Sequence, residues 1–327
     1  MADAVTARVP STSGAGGPVA AIDCGTNSTR LLVIDASGKT LERQMRITRL
    51  GEGVDATGVL NEAAIARTVA VLEDYRRVMD ELGVVRVRMA TTSAARDAGN
   101  AEGFFSAAAE AVGVRPELLT GEEEGRLSFA GATAQLPRRI PADQPVLVVD
   151  IGGGSTELVV GRPSDPRSTS EVSLDVGCVR VNERFLRHDP PRPDELSGAV
   201  EAVRAMLEDA LGRLPSVPAG GIVIGLAGTV STVAALELSI DVYDRERIHH
   251  ASIDRAQVDK WLTVLSGEAS TQRLARSGLV RGREDVIVGG VLILSCIMDA
   301  FAAMKCLVSE DDILDGLAAT VRNGDRR

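Results

Sequence analysis

The 327-residue chain has few aromatic residues, 2% of the total, with one Trp, two Tyr and five Phe. So few rings leave little material for stacking nucleic-acid bases, and a net charge of −10 argues against a general nucleic-acid coat. Lysine is scarcer still: of the 36 lysines and arginines only Lys39, Lys260 and Lys305 are lysine. That skew follows genomic base composition, although arginine also suits bidentate phosphate contacts. The cysteines, Cys24, Cys178, Cys296 and Cys306, form no CxxC pair, so neither a disulfide framework nor a zinc ribbon is expected, and a reducing, cytoplasmic compartment fits. No long hydrophobic run occurs. The longest, Val286 to Met298, is bounded by Asp285 and Asp299, falls short of the ~20 residues that span a bilayer, and reads as a buried helix. The first 18 residues, ending in STSGAGGP, carry no apolar run; a disordered tail is expected there, with neither signal peptide nor membrane anchor.

What is present is apolar material, 44% of the residues, in a chain longer than one core usually fills, so two lobes are expected. Laid over one another, DCGTNSTRLLVI from Asp23 and DIGGGSTELVVG from Asp150 share their aspartate, a glycine and a Ser-Thr pair. Each follows a short apolar run and returns into another, so each reads as strand, tight turn, strand. Glycine with small hydroxyl or amide residues makes a turn whose backbone N–H groups form a nest for phosphate oxygens. One Asp-x-Gly hairpin is also an ordinary structural turn. Two on matching strands favour a paired clamp, with Asp23 and Asp150 facing each other across a cleft. Hard carboxylate oxygens there favour Mg²⁺, completed by waters and substrate phosphates.

Around the first turn, a third strand near Thr40 to Arg49 precedes a helix from about Asn61 to Leu82, capped by Asn61 and ended by Gly83. A strand at Val84 to Met89, a helix at Ala101 to Val112, a strand near Glu117 to Leu119 and a helix from Gly121 complete a βββαβαβα pattern. The second lobe repeats the hairpin and third strand to about Val176, and Gly221 to Ala227 reads as a buried strand. The proline-bearing break around Leu136 to Pro145 divides residues 19–136 from 137–327. The last helix, about 310–322, is expected to be able to pack back on the first lobe.

The paired hairpins resemble the actin, Hsp70 and sugar-kinase superfamily. More narrowly, DCGTNSTRLLV, TTSAARDA, TGEEEGRLSF, DIGGGSTELVVG, DVGCVR, GLAGTVST and REDVIVGGVLIL resemble, in order, the motifs of the Ppx/GppA family of exopolyphosphatases and guanosine pentaphosphate phosphatases, from about Val19 to the end. The resemblance implies two ribonuclease H-like (actin-like ATPase) domains around an interdomain cleft, in the short form without the helical C-terminal region of longer members. It implies Mg²⁺, with Mn²⁺ as the alternative, a homodimer, no nucleic acid and no membrane.

The resemblance also assigns roles. Thr120 and Glu123 read as a capping box, which leaves Glu124 unexplained, and Glu124 matches the family's general base. The family usually places alanine after it; this chain has Gly125. Asp150 matches the metal-associated aspartate and Glu157 a second functional acid, while Asp23 is expected to reach the metal through water. Gly25, Thr26, Asn27 and Ser28 on one side, with Gly152, Gly153, Gly154, Ser155 and Thr156 on the other, are expected to cradle phosphates. Arg96 matches a phosphate-binding arginine, and Arg180 is a further candidate. Thr229 in GLAGTVST can cap a helix, either as a plain connection or beside a nucleotide. Gly289 and Gly290 interrupt a helix at a cost of ~1 kcal/mol each, which close packing at an interlobe hinge would offset. His188, His249 and His250 are given no catalytic role. Where the family often has arginine before an acid and glycine, this chain has Leu314, Asp315 and Gly316, one basic contact fewer. Three functions remain open: exopolyphosphatase, guanosine pentaphosphate phosphohydrolase, and a small-molecule kinase or non-catalytic nucleotide or polyphosphate switch.

Overall fold

The structure, a computed structural model, describes residues 16–137, 140–215 and 221–324; the tail expected over residues 1–18 lies outside the described residues as far as residue 15. The first half of the chain forms β1 (Val19–Cys24), β2 (Ser28–Ile34), β3 (Thr40–Ile47), α1 (Val54–Thr57), α2 (Glu62–Glu81), β4 (Arg86–Thr91), α3 (Ser93–Arg96), α4 (Ala101–Val112), β5 (Glu117–Leu118) and α5 (Gly121–Thr133). The rest forms β6 (Val146–Ile151), β7 (Thr156–Arg162), β8 (Asp165–Leu174), α6 (Cys178–Phe185), α7 (Pro193–Arg213), β9 (Ile222–Leu226) and α8 (Ala227–Glu237). It ends with α9 (Arg245–Ile248), β10 (Ser252–Asp254), α10 (Arg255–Ser266), α11 (Ser270–Leu274), α12 (Ile287–Ala300), β11 (Lys305–Val308) and α13 (Ile313–Asn323).

The two sheets run β3-β2-β1-β4-β5 and β10-β11-β9-β6-β7-β8. In each, the first two strands form an antiparallel hairpin, the third lies outside it, and the fourth runs parallel to the first. β10 is the one departure, an antiparallel strand added beyond β11. The repeat read from the two Asp-x-Gly segments is thus a repeat of whole sheets, the paired ribonuclease H-like architecture. β1 and β6 are buried at every position, which is why they read as unbroken apolar runs instead of alternating ones.

Local signals act as read. Asn61 accepts a hydrogen bond from Ala63 N at the start of α2, and Gly83, at φ 65°, lies just past its end. Thr120 and Glu123 close a capping box on α5, which runs unbroken through Gly125. A Cβ on Gly125 would stand 2.9 Å from Val159 Cγ2, so its absence lets the helix press onto β7. The apolar run from Val286 becomes α12, buried from Ile287 through Met298, and no helix of the described residues is long and apolar enough to cross a membrane. Gly289 and Gly290 do serve close packing, but not at an interlobe hinge. A Cβ on Gly289 would meet the Cys178 carbonyl oxygen at 2.9 Å and one on Gly290 would overlap Thr229, so the contacts are with α6 and α8 of the same lobe. Thr229 packs against Gly290 and lines the cavity between the turns, and it does not cap α8, which has no side-chain cap.

Two helices cross between the sheets. α5 follows the strands of the first lobe, yet its Phe129 and Ala132 join Val146, Val148, Val159 and Ile224 beneath the second sheet. α13, at the other end of the chain, places Ile313, Leu314, Leu317 and Ala318 with Val19, Ala21, Leu32 and Ala90 of the first. Where they touch, neither helix tolerates a side chain: a Cβ on Gly131 would overlap the Asp312 carbonyl oxygen, and one on Gly316 that of Leu127.

Candidate active site

The two turns line one cavity, with Asp23, Gly25, Thr26, Asn27 and Ser28 on one side and Asp150, Gly152, Gly153 and Ser155 on the other. They close alike: Gly25 N donates to Ser28 O, and Gly152 N to Ser155 O, each at 3.0 Å. The tips touch. A Cβ on Gly153 would stand 2.8 Å from Thr26 Cβ, and one on Gly154 2.7 Å from Ser93 Oγ, while Thr26 and Ser93 share a 2.9 Å hydrogen bond. Bare backbone at these glycines is what lets the lobes meet. Gly154 and Thr156 lie behind the cavity wall, the Thr156 hydroxyl donating to the Val176 carbonyl at 2.6 Å.

Glu124 follows the capping residue Glu123 by about 100° of helix rotation, and this turns it from solvent into the cavity, where it is 8% exposed. Its Oε2 accepts no hydrogen bond, and Arg96 Nη1 lies 3.5 Å away. Arg96 is held by donating to the Leu119 carbonyl at 2.8 Å, so it stands beside the base candidate and not in the cavity lining. Asp150 accepts from Ser128 Oγ at 2.7 Å, and Glu157 from Ser173 Oγ at 2.8 Å. Asp23 Oδ2 is gripped by Arg30 at 2.7 and 3.0 Å. Glu157 Oε2 and Asp23 Oδ1 are buried without a hydrogen bond.

Crowding four acids out of water raises their proton affinity. Burial, then the Asp312 charge, pushes Asp150 up to about 6 against the opposing pull of Arg30. Burial and Asp150 push Glu157 up to about 8. Glu124 is raised well above the carboxylate range by burial and by Glu157, and Asp23 is raised by burial. Through these acids the native state binds more protons than the unfolded chain from about pH 4.5 to 8, and their contribution to stability falls as pH rises through that window, opposed below about pH 6.5 by His249, which burial lowers to about 4. Melting of the protein in chelator is expected to show Tm decreasing from pH 5 to 8. A flat or rising Tm would contradict the crowding.

Asp23, Asp150 and Glu157 are not gathered as a metal-ligand set: among the described residues no group of three or more His, Cys, Asp or Glu could hold an ion. One oxygen of Asp23 is taken by Arg30 and one of Glu157 by Ser173. Arg180 also departs from expectation. It does not line the cavity; its Nε donates to the Gly154 carbonyl at 2.8 Å and its Nη atoms to Asp55, at 2.6 Å, and to Asp97. With Arg184, which also donates to Asp55, it pins the second turn to the first lobe. Removing it leaves Gly154 and Asp97 without this donor. Arg180→Ala is expected to cost roughly 2 kcal/mol, read in thermal unfolding, and to raise KM more than it lowers kcat.

Sequence reasoning missed Arg30 and Arg283. Arg30 bridges Asp23 to Asp312, and Arg283 lies against Gly228, so closely that a Cβ there would overlap the guanidinium. Both line the cavity. For Arg30 the signal was in the repeat: it pairs across its hairpin with Asp23 as Glu157 does with Asp150, so superposing the segments puts a base where the other lobe has an acid. Beyond the GLAG turn a second cavity of about 450 Å³ shares Arg30, Ala227, Gly228 and Arg283 with the first.

Residues 11–319 match the Ppx/GppA phosphatase family. Exopolyphosphatase 2 of Mycobacterium tuberculosis is 41% identical over 319 residues, covering 93% of this chain and 98% of that one. A bifunctional 3-dehydroquinate synthase/phosphatase of Fusobacterium nucleatum is 30% identical over 307 residues, 91% of this chain and 45% of that one. The crystal structure of an exopolyphosphatase-like protein superposes with a TM-score of 0.88 at 32% identity, covering 94% of this chain and 99% of the other. That of the Aquifex aeolicus Ppx/GppA family member superposes at 0.77 with 33% identity, covering 95% and 99%. Motif order, duplicated sheets and these likenesses agree, and the chain belongs to the Ppx/GppA phosphatase family.

Proposed function

We propose that the chain is an exopolyphosphatase, a phosphoric anhydride hydrolase that removes the terminal phosphate of inorganic polyphosphate, preferring short chains. The observation that carries this reading is Glu124, a buried carboxylate with an unbonded oxygen, in a cavity lined by both phosphate turns. Glu124 would orient a water and take its proton as the oxygen attacks the end phosphorus. The P–O–P bridge then breaks, leaving orthophosphate and a chain shorter by one. Backbone N–H groups of the two turns would hold the phosphate oxygens, with Arg96 and Arg30 supplying positive charge beside them.

The buried, unbonded Asp23 and Glu157 oxygens fit a divalent cation held chiefly by one carboxylate, with water and substrate oxygens completing its shell, and not a cage of three acids. Asp150 would hold Mg²⁺, or Mn²⁺, with Asp23 acting through water and Glu157 nearby, and the ion would supply neutralisation of phosphate charge. The four cysteines are buried free thiols, in keeping with the cytoplasm, and a homodimer is the assembly we propose.

Guanosine pentaphosphate is the second reading, favoured by the 450 Å³ cavity, where Met45, Ala235, Val280 and Leu314 form an apolar wall beside the arginines. Orthophosphate release would be measured from polyphosphates of defined length and from guanosine pentaphosphate, with Mg²⁺. A higher kcat/KM on short polyphosphate is expected. Release from ATP alone would sink both readings and favour a nucleotide-dependent kinase or switch.

A further inference from the structure

α5 carries Glu124 and, one turn further on, Ser128, which is fully buried. The helix lies on the second sheet through apolar contacts of Phe129 and Ala132, which hold it close but do not fix where it sits along its axis. Directed bonds do that. Ser128 Oγ donates to Asp150 Oδ2 at 2.7 Å, a hydrogen bond from the helix of the base candidate to the acid at the end of β6. A second key lies at the helix start. Ser173, directly opposite Glu157 in the β7–β8 register, donates to Glu157 Oε1 at 2.8 Å. The same side chain fills the space in front of Gly121, where a Cβ would overlap it.

Resting on the exopolyphosphatase reading, we propose that Ser128 and Ser173 are positioning residues that key α5 to Asp150 and Glu157, so that Glu124 and both second-lobe acids form one rigid unit. The sequence of Glu124 belongs with the first lobe, but its side chain would travel with the second. Neither hydroxyl need touch substrate. Each engages one carboxylate oxygen, Asp150 Oδ2 and Glu157 Oε1, and Glu157 Oε2 stays buried without a hydrogen bond. Outer-sphere partners of this kind are worth about 10–100-fold in metal affinity or activity.

The test compares wild type, Ser128→Ala, Ser173→Ala and Ser128→Cys. Phosphate release from short polyphosphate gives kcat and KM, and paramagnetic resonance gives Mn²⁺ binding without turnover. Ser128→Ala is expected to lower kcat about 10–100-fold and weaken Mn²⁺ binding comparably, with KM nearly unchanged. Ser173→Ala should lower kcat with a smaller effect on Mn²⁺. Ser128→Cys keeps the volume with a weaker donor and should fall between, and it carries the test if the alanine variant does not fold. Wild-type kcat and Mn²⁺ affinity in Ser128→Ala would overturn the proposal, as would a loss confined to KM. If wild type bound Mn²⁺ but released no phosphate from polyphosphate, the substrate reading would fail, while weakened Mn²⁺ binding in Ser128→Ala would still support the serine's role.

Discussion

Glu124→Gln lowers kcat for phosphate release from polyphosphate by roughly 10²–10⁴-fold, with the fold and polyphosphate binding retained. The amide is nearly isosteric, so the turn-lined cavity stays intact, but glutamine cannot take a proton from water at any working pH. Burial and the neighbouring Glu157 and Asp150 hold the Glu124 proton affinity high, which makes its carboxylate a stronger base than an exposed glutamate. Arg96, 3.5 Å away, opposes that shift. The loss should therefore appear in kcat, with KM within a few-fold. A variant releasing phosphate at the wild-type rate would show that another group activates the water, and Glu157 would be the next to examine.

Gly131→Val is expected to destabilise the protein by about 3 kcal/mol, a fall in Tm of roughly 4–5 °C. Two helices cross with backbone against backbone, and the atom that a Cβ on Gly131 would strike is the carbonyl oxygen of Asp312. A flexible side chain could rotate away, but this carbonyl belongs to the residue that caps α13 and holds Arg30. Displacing it drags Arg30, and through it Asp23, so stability and activity should fall together. Gly103→Val on the exposed face of α4, with open space before its Cα, is the control. Equal effects from the two substitutions would mean that the crossing is looser than its geometry implies.

The sheets were legible because their signals are local. An apolar run, an aspartate and a glycine turn, repeated with the same strand on either side, fixed both hairpins, and Asn61, Gly83 and Thr120 marked helix ends where their backbone groups needed partners. Glu124 was legible for a related reason, as the acid that the cap left over. What was hidden depends on contacts between distant segments. Nothing near Phe129 reveals that it packs beneath the second sheet, because its neighbours there come from β6, β7 and β9. Arg180 reads as a phosphate contact until Asp55 and Asp97, 125 and 83 residues away, are seen to occupy its donors. Ser128 has an unremarkable helical context, and only Asp150, 22 residues on, gives its hydroxyl a purpose. Arg283 likewise gains its place from Gly228.

Because α5 completes the second core and α13 the first, each half of the molecule borrows a helix from the sequence of the other. Cutting the gene in the proline-bearing segment between α5 and β6 would leave each fragment with a stranded helix and an uncovered sheet face. Neither should be soluble alone, whereas co-expressed halves could re-form the pair by exchanging them.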